Sequence, residues 1–249
     1  MIDLDFNQLF DPNQLPWNVS NDIILEIGSQ REHGSTAWLC QMAQRVGVDL
    51  YSIDVVPDAR DAWSGPPVNF VVAESGSEWC QKHLPGLGRN IRVLLLDNYD
   101  WNYEVLRPFA KQHFDAVKHH EWPDCDSWQA FYQLPEWIQL ECQNLHGFDL
   151  RRTRPRAYYR EQADWYLQRG ITVNNRDCVK EHLTQMLACL PYMCQDSVII
   201  CDDTFVSPEH DCWAGKCAAV VPLIEAYGYQ CINQQAKGAA WRRRAQEIS

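Results

Sequence analysis

The 249-residue chain has no apolar run near the roughly 18 residues that a membrane-spanning helix needs. Positive charge is scarce. Lys and Arg number 22 against 33 Asp and Glu, and the net charge of −11 opposes broad contact with nucleic acid or an anionic membrane. The start, MIDLDFNQLFDP, lacks the basic opening and apolar core of a secretion signal, so a cytoplasmic setting is expected. No CxxC pair occurs among the eleven cysteines. A disulfide framework is therefore not expected, and most of these residues read as small buried apolar groups. His210, Asp211, Cys212 and Cys217 fit no familiar zinc spacing. The basic cluster Arg151 to Arg156 reads as a solvated face or a grip for one acidic group.

Short apolar runs alternate with helix-like segments. Strands are expected at 23–28, 49–54, 68–72, 91–97 and 197–203, and a terminal hairpin at 229–234 and 239–243. Helices are expected at 35–46, 77–84, 178–190 and 216–227, the last interrupted by Pro222. The strands are continuous apolar runs, as when helices cover both faces of a parallel sheet. One α/β domain with a doubly wound, mostly parallel sheet follows. The rhythm breaks from about 104 to 175, where prolines and aromatics such as Trp122, Trp128, Trp137 and Trp165 mark an inserted helical cap. Such aromatics suit a flat or apolar small molecule, or else the cap's own core or a subunit interface. His119 and His120 receive no role.

In IILEIGSQREHGSTAW, residues 23–38, only Gly28 and Gly34 are present, so neither GxGxxG nor a phosphate loop exists. Glu26 would repel a pyrophosphate and suit a cationic ligand. Asp54 ends the next strand, where an acid can accept from both ribose hydroxyls. A ribose-bearing cation without phosphate is S-adenosylmethionine; the alternative is that both acids cap helices.

Here the chain resembles a class I S-adenosylmethionine-dependent methyltransferase, of the metal-dependent small-molecule O-methyltransferase type typified by catechol O-methyltransferase. ILEIGSQREHGST resembles the first cofactor motif, which carries Gly28, Ser29, Gly34, Ser35 and Thr36 over as its loop. YSIDVVPDA resembles the second-strand motif, and VVAESGSEW the third, with Ser75 on the adenine side. LLLDNYDWNY resembles the fourth, where Tyr99 would pack on adenine beside Asp97. VIICDDT resembles the fifth-strand metal motif.

The resemblance implies a seven-stranded Rossmann-like methyltransferase fold in which Asp97, Asp202 and Asp203 converge at neighbouring strand ends. Three unpaired carboxylates would repel one another, and a divalent ion, Mg2+ first among them, is the natural compensation. Where catechol O-methyltransferases have a lysine base three residues past the first metal aspartate, this chain has Asp100. Asp100 is the candidate base, or a further ligand, or a plain loop acid. The expected activity is O-methylation of a small molecule in specialised metabolism, with a homodimer possible. N- or C-methylation, a hydroxylase-like relative and a non-catalytic cofactor-binding scaffold stay open.

Overall fold

A computed structural model describes residues 4–29, 34–98, 175–207 and 212–243 of the chain. The cap insertion, Tyr99, Asp100 and the pair His210–Asp211 lie outside the described residues.

The frame is a seven-stranded sheet: β1 (Asp22–Ile27), β2 (Asp49–Asp54), β3 (Asn69–Val72), β4 (Asn90–Leu96), β5 (Met193–Asp202), β8 (Tyr229–Gln234) and β9 (Gly238–Arg243), in the order β3-β2-β1-β4-β5-β9-β8. The pairs from β3 to β5 are parallel, and β9 runs antiparallel to both β5 and β8. This is the doubly wound, mostly parallel α/β sheet expected from the sequence, with the expected terminal hairpin. Among the described residues no helix is long and apolar enough to cross a membrane.

Helices on both sides explain why the strands are apolar throughout. Ile23, Leu25 and Ile27 of β1 join Leu94 and Leu96 of β4 and Ile199 and Cys201 of β5 on one face. There they meet α4 (Gly76–Leu87), α5 (Asn175–Cys189) and α6 (Val220–Ala226) through Cys80, Leu84, Met186, Cys189, Val220 and Ile224, while the short α3 (Asp58–Ala62) links β2 to β3. Ile24, Val93, Leu95, Val198 and Ile200 form the other face, under α2 (Ser35–Val46) and the short α1 (Phe6–Leu9). Alternate residues of each strand thus enter opposite cores. The cysteines behave as read: Cys40, Cys80, Cys178, Cys189, Cys201 and Cys217 are buried and form no disulfide.

Three features depart from the expected elements. The strand expected from 197 begins at Met193: Ile91 of β4 pairs with Met193 and Val93 with Val198, so the polar stretch Cys194–Asp196, with Asp196 at a left-handed φ of 61°, bulges from the ladder. The helix expected from 216 begins only at Val220, so Pro222 falls in its first turn, where a missing N–H costs nothing. A two-stranded hairpin, β6 (Thr204–Ser207) and β7 (Cys212–Gly215), follows β5 and was not anticipated. It carries the chain back over the carboxyl end of β5.

Strand order reverses between β1 and β4, and the crevice beyond the carboxyl ends of such strands is where α/β sheets bind ligands. The ends are tied together there. Gly28 donates its N–H to Ile53 O at 2.8 Å, and Asp97 donates to Ile27 O at 2.8 Å.

Candidate active site

Asp97 follows β4, Asp202 ends β5 and Asp203 comes next, at a φ of 45° that few residues other than glycine adopt. The three carboxylates offer oxygens within 4.8 Å of one another. The expected convergence of acids at adjacent strand ends is present in the fold. Burial first, and then the charges of Asp97 and Asp203, push the Asp202 carboxyl well above its usual range.

The compensating charge that the structure shows is a side chain. Lys216, only 2% exposed, donates from Nζ to Asp97 Oδ1 at 2.7 Å and lies 3.2 Å from Asp203 Oδ2. Its backbone is pinned too, because Lys216 N donates to Asp203 O at 3.0 Å. Gly215 packs so tightly beneath that a Cβ would fall 1.9 Å from that same carbonyl oxygen. Cys217 N donates to Thr204 Oγ1 at 3.1 Å, which closes the junction. Burial works against the ammonium, yet Asp97, Asp203 and Asp202 outweigh it and hold the lysine well above its ordinary pKa. The hairpin β6–β7 thus returns the chain so that Lys216 meets the acids.

His182 of α5 is a second buried group facing this end. Its Nδ1 lies 2.7 Å from Cys178 O, and its buried Nε2 has no hydrogen-bond partner among the described residues. Burial, aided by the Lys216 charge, lowers its pKa to about 3, so the ring is neutral. Neither Lys216 nor His182 was singled out in the sequence. Lys216 reads there as the first residue of a helix, and only Gly215 before it hints at a turn. His182 shares one helical face with Cys178, Gln185 and Cys189, all buried, and that spacing marks it as inward-facing.

The residues expected around a cofactor fall into two groups. Ser29, Gly34, Asp54, Ser75 and Asp97 reach the rim above β1 to β4 and keep some surface. Gly28, at φ 101°, is buried against the backbone of Asp97 and Asn98. Asp54 accepts from Ser29 N at 2.8 Å and Val56 N at 3.0 Å, so it shapes the loops on either side. Burial raises its pKa despite these bonds. Ser75 caps α4, accepting from Glu78 N at 3.2 Å, and donates to Glu181 Oε1 at 3.2 Å.

Glu26 differs from its expected place facing a cationic ligand. It shares the parity of Ile24 and points under α2, fully buried, where Ser35 Oγ, Thr36 Oγ1 and Ser52 Oγ donate to it. Ser35 and Thr36 are buried with it. These three residues anchor the start of α2 from below the rim. All three donors are side-chain hydroxyls, and no side chain caps the backbone N–H groups at the start of α2, so Glu26 is not a helix cap either. Tyr99 and Asp100, expected as adenine contact and base, lie outside the described residues.

Burial lifts the Glu26 pKa from 4.5 to about 7, outweighing the three hydroxyl donors. Between those values the folded chain keeps a proton that the unfolded chain has released. Stability contributed by this group is therefore lost as pH rises from about 4.5 to about 7, by about 3 kcal/mol at most. Urea unfolding of wild type and Glu26→Gln at pH 5, 6, 7 and 8, in chelator, checks this. The variant is expected to show the flatter profile.

Compared as a sequence, the chain matches no protein-family profile and no curated protein. Among solved structures it is similar to the MycE methyltransferase of the mycinamycin biosynthetic pathway in complex with Mg and SAH. The match has 9% identity, covers 92% of this chain and 47% of that one, and has a TM-score of 0.41. A second structure of that enzyme, with Mg, SAH and mycinamycin VI, matches at 8% identity, 92% and 46% coverage, and a TM-score of 0.41. The chain spans about half the length of these structures.

Proposed function

We propose that the chain is an S-adenosylmethionine-dependent methyltransferase that acts, with a divalent ion, on a hydroxyl of a small molecule. The observation that carries this reading is the meeting of Asp97, Asp202 and Asp203 within 4.8 Å at the reversal of strand order. The donor set fits a hard cation. It is all oxygen, and with one ammonium among three carboxylates it retains a surplus of negative charge that a divalent ion balances. When bound, such an ion lowers the pKa of a coordinated hydroxyl and fixes it for in-line attack on a sulfonium methyl.

The chain's own residues do the rest. Asp97, Asp202 and Asp203 hold the ion; Asp97 also borders the cofactor beside Gly28. In this reading Asp54 takes the ribose hydroxyls, Ser75 and Tyr99 the adenine, and Ser29 and Gly34 the aminoacyl end. Glu26 acts through Ser35 and Thr36, which it anchors. Asp100 stands as the candidate base three residues past Asp97. In this reading the aromatic cap selects the acceptor, a small molecule, and the arginines of 151–156 grip a carboxylate on it. Catechol O-methyltransferase-like chemistry, a cytoplasmic setting and a homodimer belong to this proposal as well.

Calorimetric titration with S-adenosylhomocysteine, with and without Mg2+, tests it. Micromolar binding is expected, and bound Mg2+ that EDTA removes. No binding of S-adenosylhomocysteine would sink the methyltransferase reading. Binding of it without any Mg2+ site favours a scaffold.

A further inference from the structure

Lys216 is an unusual resident of a metal-binding acid cluster. Its ammonium already touches two of the three carboxylates, at 2.7 Å from Asp97 Oδ1 and 3.2 Å from Asp203 Oδ2. It cannot easily leave. The side chain is 2% exposed, its N–H is bonded to Asp203 O, and Gly215 leaves no room behind that carbonyl. An ion entering the cluster must bind beside a fixed positive charge and share its carboxylates with it.

We propose that Lys216 is a built-in counter-cation that offsets part of the negative charge of the cluster and keeps its affinity for divalent ions low. This rests on the metal-dependent reading above and adds a residue that the reading does not use. Two effects of the lysine oppose each other. It preorganises the carboxylates, which favours an ion, and it repels the ion directly, which disfavours it. Repulsion wins on magnitude. At about 4 Å and an effective dielectric of about 20, one unit charge shifts the affinity for a divalent ion by more than about a hundredfold, whereas preorganising two carboxylates that the backbone already fixes is worth much less. Asp203 is held by its own φ of 45° and by the hairpin junction, and Asp97 by its N–H to Ile27 O, whatever stands at 216. The lysine also keeps the empty cluster from repelling itself open, so removing it exposes the site to ions at the cost of some stability.

The test is Mn2+ binding to the full chain, stripped with chelator, followed by the loss of the free-ion electron paramagnetic resonance signal at fixed ionic strength. Lys216→Gln keeps a donor for Asp97 without the charge, and at least a tenfold tighter Mn2+ site is expected. Lys216→Arg keeps the charge and is expected to bind within about threefold of wild type. Far-UV circular dichroism and melting confirm the fold, and Lys216→Met replaces the Gln variant should that one not fold. Unchanged or weaker binding by the folded neutral variants overturns the proposal, and so does the absence of Mn2+ binding in every variant. S-adenosylhomocysteine titrations on the same samples separate the two readings. Their failure sinks the methyltransferase function and leaves the order of Mn2+ affinities standing, whereas a reversed order with intact cofactor binding sinks only the role of Lys216.

Discussion

Gly28→Ala is expected to cost about 4 kcal/mol of stability and to lower the melting temperature by about 10 °C or more. Two penalties add. The residue sits at φ 101°, where a side chain is strained, and an added Cβ would lie 2.3 Å from Asp97 O, 2.4 Å from Asp97 C and 2.7 Å from Asn98 N. All three are backbone atoms of the segment leaving β4, so no side chain can swing aside. The end of β4 must move, and the Asp97 carboxylate moves with it. Gly47→Ala is the internal control. Gly47 closes α2 at φ 77° in a left-handed cap, and a Cβ there meets only Val19 Cγ1 at 3.5 Å. Its substitution should cost about 1 kcal/mol. Thermal melts of the two variants decide the matter. Equal shifts would mean that the β1 and β4 ends are not locked together as described.

That contact also shows what a sequence can and cannot disclose. Elements bounded by turn residues and filled with apolar side chains were legible almost to the residue: α2 at 35–46, β2 at 49–54 and β8 at 229–234 fall where expected. Periodicity and length fix such elements, because burial on both faces leaves few other arrangements. The meeting of Asp97 with Asp202 and Asp203 was legible too, since strand order follows from the resemblance. Side-chain direction was not. Glu26 looked like a rim acid because it stands near the end of β1, yet its parity with Ile24 sends it under α2, where three hydroxyls await it. The hairpin β6–β7 escaped because TFVS and CWAG are short and carry no alternation long enough to separate strand from loop. Missing the hairpin meant missing Lys216, which only the return of the chain brings to the acids. A basic residue at the head of an apolar helix-like run reads as a surface charge unless the turn before it is known.

Asp202→Asn is expected to remove methyl transfer by at least about a thousandfold and Mn2+ binding by at least about a hundredfold, while S-adenosylhomocysteine affinity stays within about threefold. The asymmetry follows from position. Asp202 belongs to β5, whereas Ser29, Asp54 and Ser75 stand at the ends of β1, β2 and β3, two or more strands distant along the sheet. Asparagine keeps the size of the side chain and loses the charge that a divalent ion requires. Stability should move the other way. Burial and the charges of Asp97 and Asp203 raise the Asp202 pKa in the folded chain, so above its unfolded value the folded state bears a cost that grows as pH rises toward the folded pKa. A neutral amide does not bear it, so in chelator at pH 8 the variant should melt at or above the wild-type temperature. Lost metal binding with undiminished stability is the signature of an acid kept for chemistry at the expense of the fold. A variant that melts lower and still binds Mn2+ would make Asp202 a structural residue and leave the cluster without its function.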